Sequence, residues 1–271
     1  MSFSDNDSFF LTVDGFHTEV KQRASSTKKT LLIGLHGFGG SAGSFRKFAG
    51  FLPDDVTFWS LSLPWHGKTS DSKEDLRLDV IRYADDLARI TAEHQFSEIY
   101  IIAHSFGARI GVTLAQRHPQ LINGMFLMAP GGFYFPEDMM FRFLGTPPFR
   151  WLIKKDFFIA PYVKFLIPNL RPEKHDQVFN ALRKISYSFP KTSIKKMGVR
   201  DKLKEYPGKV ILIWGDKDRL VPASFAEKLI RNFSSADARI HVLKKTGHLP
   251  MAERPEKTAA IVTDVISEEV N

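Results

Sequence analysis

The chain has no cysteine in its 271 residues, which excludes a disulfide framework and every form of thiol chemistry. It also lacks an apolar run approaching the ~20 residues that a membrane-spanning helix needs. Met1-Ser2-Phe3-Ser4-Asp5-Asn6-Asp7 has neither the basic start nor the apolar core of a secretory leader, so a cytoplasmic location is expected. Internal repeats and low-complexity tracts are missing as well. His17, His94, His118, His175 and His241 show no pairing with metal-ligand spacing, so metal catalysis is not expected. What is present is 43% apolar content, enough to bury a substantial core in one domain carrying an insertion.

Apolar runs of strand length alternate with helical patterns, as in a mostly parallel sheet covered on both faces. Phe9–Val13 and Phe16–Lys21 flank Asp14-Gly15, a strong hairpin dipeptide. Thr30–Leu35 is a third strand, followed by a helix near Phe45–Leu52 and a fourth strand at Val56–Leu63. Lys73–His94 reads as one long amphipathic helix, with Leu76, Leu78, Ile81, Leu87 and Ile90 near one face. A fifth strand ends in Ile99-Tyr100-Ile101-Ile102, and Gly124–Pro130 is the sixth. The seventh is Lys209–Trp214, after which Pro222 opens a helix to Phe233. Ala238–Leu243 is the eighth strand, and Pro255–Ile266 is a closing helix.

Ser105 follows the fifth strand directly, in Ala103-His104-Ser105-Phe106-Gly107, and a helix pattern starts at Ala108. A serine on such a strand-to-helix turn exposes its hydroxyl, and small residues two positions before and after relieve the crowding. A helix N-cap serine is the structural alternative. The arrangement resembles the nucleophile elbow of the α/β-hydrolase family, with Ala103 where glycine is preferred. Downstream, Gly215-Asp216-Lys217-Asp218-Arg219-Leu220-Val221-Pro222 follows the seventh strand, and Lys244-Lys245-Thr246-Gly247-His248-Leu249-Pro250 follows the eighth. That is the family's chain order of serine, acid and histidine.

A serine hydroxyl is a weak nucleophile and needs a base beside it. Histidine suits the task near neutral pH, and a carboxylate holds its tautomer and steadies the imidazolium. The resemblance implies Ser105 as nucleophile, His248 as base and Asp218 as orienting acid. Asp216 competes for the acid role but reads as a turn residue bonding its own backbone. Glu137 and Asp138 are outside candidates, since a minority of the family carries the acid after the preceding strand. The resemblance also implies an oxyanion hole from the backbone N–H groups of Phe38, in His36-Gly37-Phe38-Gly39-Gly40, and of Phe106. No cofactor enters this chemistry.

The glycine loop at 37–42 also fits a dinucleotide fingerprint, but the next strand ends Ser60-Leu61-Ser62-Leu63-Pro64 without the acid that motif requires. Gly67-Lys68-Thr69 resembles a phosphate-loop tail, yet position 62 is serine where that motif starts with glycine. Leu63-Pro64-Trp65-His66-Gly67 resembles instead the family's turn after the fourth strand, departing from it at Trp65, where glycine is usual. His36, His66 and His104 read as structural residues that place backbone.

The resemblance makes residues 131–206 a helical cap inserted after the sixth strand, between core segments 1–130 and 207–271. This stretch has 15 Lys and Arg against 7 Asp and Glu, whereas the remainder has 23 of each, so the chain's excess of +8 lies entirely within it. It also holds 10 of the 24 phenylalanines, along with Trp151 and Tyr162. A lid packed by aromatics with a solvated basic face is one reading. The other is an acyl pocket lined by aromatics beneath a surface that attracts an anionic substrate or makes weak contact with a membrane. No nucleic-acid motif accompanies the charge.

The expected function is cleavage of a hydrophobic ester or thioester through an acyl-enzyme. A carbon–carbon bond hydrolase or lyase on the same triad is the alternative, with Arg109 as a candidate carboxylate holder. A slow-turnover ligand receptor is the alternative from another class. Dehalogenase and epoxide-hydrolase chemistry is excluded, because on this fold it needs a carboxylate at the elbow.

Overall fold

The protein is described from a computed structural model. It describes residues 8–131 except 28, 72–75 and 77, residues 206–268 except 234–236, and, between them, residues 148, 151, 155, 157, 160 and 161. The expected cap, apart from Gly131, Tyr206 and the six residues just named, therefore lies outside the described residues, and with it Glu137, Asp138, Tyr162 and His175.

Among the described residues, nine strands build one sheet: β1 (Ser8–Val13), β2 (Phe16–Arg23), β3 (Thr30–Leu35), β4 (Val56–Leu61), β5 (Ser70–Asp71), β6 (Glu98–His104), β7 (Gly124–Met128), β8 (Lys209–Gly215) and β9 (Ala238–Leu243). The order is β1-β2-β4-β3-β6-β7-β8-β9, with the two-residue β5 pairing beside β2. From β4 to β9 all pairings are parallel, and the β1, β2 and β5 pairings are antiparallel. The eight expected strands are present, and β5 is an addition. Asp14 and Gly15 both have positive φ, 45° and 78°, and Val13 pairs with Phe16, as a two-residue type I′ hairpin requires.

Among the described residues outside 148–161, the α-helices are α1 (Arg46–Ala49), α2 (Val80–Glu93), α3 (Gly107–Arg117), α4 (Ala226–Ile230), α5 (Pro250–Glu253) and α6 (Pro255–Ser267). Two core clusters follow from the period-2 alternation of the strands. Leu31, Ile33, Ile101, Leu212 and Trp214 face α2, α3 and α4, while Leu32, Tyr100, Ile102, Ile211 and Ile213 face α1, α5 and α6. The long helix expected from Lys73 begins at Val80, because the Asp79 carboxylate caps it by accepting from the N–H groups of Ile81 and Arg82. Leu78 is buried just ahead of the helix, so its apolar spacing reports core contact and not helix. The helices expected near 45–52 and 222–233 are each a short 3₁₀ turn running into one turn of α-helix.

After β4 the chain turns at Leu63-Pro64-Trp65-His66, closed by the His66 N–H donating to the Leu63 carbonyl at 2.9 Å. Proline in second place and φ +65° at Trp65 are features of a type II turn, whose third residue is ordinarily glycine. Tryptophan holds the position because its ring is buried and meets Phe16 edge-on, with centroids 5.5 Å apart. Trp65→Gly would relieve backbone strain of about 1 kcal/mol. It would also remove a buried aromatic, typically worth about 3–5 kcal/mol. Packing outweighs strain, so we expect a net loss of about 2–4 kcal/mol by urea unfolding.

Candidate active site

The parallel strands end on one side of the sheet, and the loops that leave those ends meet there. Ser105 leaves β6 with φ +48°, in a region that non-glycine side chains seldom occupy. Its N–H donates to the Met128 carbonyl at 3.0 Å and its own carbonyl accepts from Gly131 at 3.2 Å, so the end of β7 and the turn just after it brace the bend. Gly107 permits the close approach to β3. A Cβ there would lie 2.4 Å from the Leu35 carbonyl oxygen and 2.5 Å from that of His36. Ala103, the departure from the glycine preference, is accommodated on the other side of the turn, where the facing helical residue is Gly111.

The loop after β3 lies against the elbow. At Gly37 a Cβ would come within 2.6 Å of His104 Nδ1 and 2.9 Å of Ser105 Cβ, so a side chain there would push the loop away. Two buried imidazoles fasten this loop from behind. His36 donates from Nδ1 to the Gly37 carbonyl (2.7 Å) and accepts the Leu63 N–H at Nε2 (3.0 Å). His66 donates from Nδ1 to the Pro64 carbonyl (2.8 Å) and accepts the Gly39 N–H at Nε2 (3.1 Å). Each ring uses one nitrogen as donor and the other as acceptor, which requires the neutral form.

After β8, Asp218 is buried with its side chain fully shielded, and Oδ2 lies 2.8 Å from His248 Nδ1. Its Oδ1 accepts the N–H groups of Leu220 and Val221, both at 2.9 Å. Asp216 differs from expectation. Its Oδ1 accepts from Thr246 N at 3.2 Å, tying the loop after β8 to the loop after β9, while it is Asp218 that bonds its own turn. The Glu253 carboxylate takes the N–H groups of Gly247 and Leu249 on either side of His248, at 2.8 and 3.0 Å.

Phe38, Ser105 and His248 line one cavity of about 160 Å³, together with Gly37, Gly40, Leu220 and Met251. Phe106 is the residue preceding α3, at the head of that helix. The structure thus brings Asp218 onto His248 and places Ser105, His248 and Phe38 around a common space. Arg109 is buried in α3. His36, His66 and Glu253 support these loops through tertiary bonds that no local motif announces.

The chain belongs to the α/β-hydrolase family: the pattern of the Alpha/beta hydrolase family matches residues 32–261. It is 28% identical to the hydrolase YugF of Bacillus subtilis (strain 168) over 94% of this chain and 96% of that protein. It is 24% identical to monoacylglycerol lipase abhd6-A of Xenopus laevis, over 90% of this chain and 77% of that one. Among solved structures, a bacterial membrane phospholipase A superposes with a TM-score of 0.79 at 22% identity, covering 100% of this chain and 87% of that one. That likeness is one of fold.

Burial first, and then the neighbouring His66, holds the His36 imidazole well below its ordinary value. Burial and the adjacent His248 do the same for His104. The unfolded chain binds protons at these positions below pH ~6.5, and the folded protein does not. Stability should therefore fall with pH below ~6.5, by up to about 1.4 kcal/mol per unit for each histidine, and be insensitive to them above about pH 7.5. Urea unfolding from pH 5 to 8 would read this slope, and replacing His36 should flatten it.

Proposed function

We propose that the protein hydrolyses an ester or thioester of a hydrophobic acyl substrate, with Ser105 as nucleophile, His248 as base and Asp218 as orienting acid. The observation carrying this reading is the 2.8 Å contact between a fully buried Asp218 carboxylate and His248 Nδ1, beside the cavity that Ser105 and His248 share. The carboxylate commits Nδ1 to donation, which leaves Nε2 as the basic nitrogen. Capping of Oδ1 by two backbone N–H groups keeps Asp218 from rotating out of that role.

In this reading His248 takes the Ser105 proton as the hydroxyl oxygen attacks the acyl carbonyl. The tetrahedral oxyanion is held by the N–H groups of Phe38 and Phe106, preorganised by the histidine-fastened loop and the head of α3. His248 then protonates the leaving alcohol or thiol, and a water deprotonated by the same imidazole releases the acid. Relatives named as lipases favour an ester over the carbon–carbon alternative. Ser105→Ala should abolish hydrolysis of p-nitrophenyl esters graded from acetyl to palmitoyl. Asp218→Asn should lower kcat by about 10³–10⁴, since the imidazole loses its tautomer. A wild-type preference for acetyl over medium-chain esters would reject the hydrophobic substrate.

The segment 131–206 carries the chain's whole positive excess. Within it Trp151 and Phe157 are 62% and 72% exposed, and the Lys155 amine lies 5.6 Å over the Trp151 ring. Basic charge beside exposed aromatics suits weak contact with an anionic lipid surface. Sedimentation with phosphatidylglycerol vesicles should fall when Trp151 and Phe157 are both changed to alanine, and binding unchanged by that pair would reject the contact.

A further inference from the structure

His104 ends β6 immediately before Ser105, and the triad chemistry assigns it no part. Its Nε2 lies 2.8 Å from the carbonyl oxygen of His248. A carbonyl can only accept, so Nε2 carries the proton and donates. The two imidazoles also meet edge to face, with centroids 4.7 Å apart and planes at 60°. On its other side the ring backs onto Gly37, where a Cβ would stand 2.6 Å from Nδ1. One side chain, joined covalently to the nucleophile, thus touches both the loop bearing Phe38 and the segment bearing His248.

We propose that His104 is a positioning residue that holds the main chain of His248, and through it the imidazole, in register with Ser105. The assignment rests on the reading of Ser105 as nucleophile and His248 as base. Asp218 holds His248 by its ring at Nδ1 and His104 holds it by its carbonyl, so the residue is anchored at both ends. Glu253 holds the flanking N–H groups of Gly247 and Leu249, whereas the His104 bond fixes the carbonyl of His248 itself; without it that peptide could rotate and displace the imidazole. Proton transfer is sensitive to such displacement, and a misplacement of about 1 Å can cost ~10²-fold.

The donor must stay neutral to suit this place. His36 and His248 are the titratable groups facing it, and burial together with His248 holds its imidazole well below the ordinary value. When His248 becomes imidazolium during turnover, no second cation then stands beside it.

The test compares His104→Phe, which keeps a ring and deletes the donor, with His104→Gln, whose amide N–H reaches about as far as Nε2. Turnover of a medium-chain p-nitrophenyl ester is followed alongside Ser105→Ala. We expect kcat to fall about 10–100-fold in His104→Phe with KM within about twofold, and His104→Gln to recover most of it. A residue that only packs would not be rescued by the amide and would not separate kcat from KM.

Wild-type kcat in a folded His104→Phe, or no advantage of Gln over Phe, overturns the positioning role while an inactive Ser105→Ala leaves the nucleophile reading standing. Full turnover by Ser105→Ala overturns both. If His104→Phe does not fold, His104→Asn, whose amide is too short to reach the carbonyl, takes its place with the same outcomes.

Discussion

The bend at Ser105 is the constraint around which this molecule is built. A serine at φ +48° is strained by about 1–3 kcal/mol and persists only where its surroundings over-determine it. Here Met128 at the end of β7 bonds the Ser105 N–H, Gly131 just beyond it bonds the Ser105 carbonyl, and the end of β3 receives Gly107 against the carbonyls of Leu35 and His36. Both strands flank β6 in the sheet, so the order β3-β6-β7 is a requirement of the bend as much as of the core. The flanking apolar strands bury side chains on both faces and hold the backbone where those bonds can form.

Around that bend, neutral imidazoles serve as fasteners. His36 and His66 each link two backbone segments through a donor nitrogen and an acceptor nitrogen, and His104 links the elbow to the segment carrying His248. A neutral imidazole can donate and accept at once, which neither lysine nor a carboxylate can do without burying charge. The exception is Asp218, a buried carboxylate given three donors: two backbone N–H groups and the imidazole. A buried carboxylate thus carries a set of donors here, as Glu19 also does with the Ser62 hydroxyl and the Lys68 N–H.

Much of this was legible locally. β3, β4, β6, β7 and β8 show as buried apolar runs, β9 as a polar–apolar alternation, and Asp14-Gly15 announces its hairpin by composition. The elbow shows in the small residues around Ser105. Other features could not be read this way. Leu76 and Leu78 continue a helical spacing into residues that lie ahead of the helix, since core contact and helical periodicity leave the same mark over one turn. Asp216 and Asp218 are equivalent by local chemistry, both being turn carboxylates two residues apart. Which meets His248 and which meets Thr246 depends on how the β8 and β9 loops lie against each other. Trp65 stands where a glycine preference would exclude it, because burial against Phe16 offsets the strain.

By itself the sequence determined the period of its elements, the turn dipeptides, the absence of thiol chemistry and the serine–acid–histidine order along the chain. These are properties of neighbours within a few residues, where backbone sterics and side-chain alternation act. Tertiary structure decided which carboxylate faces the histidine, how His36 and His66 secure the glycine loop, and that His104 reaches the His248 carbonyl across 144 positions of chain. Those contacts join residues whose separation along the chain carries no information about direction in space. Only the stacking of parallel strands, ending on one side of the sheet, brings them within hydrogen-bond length.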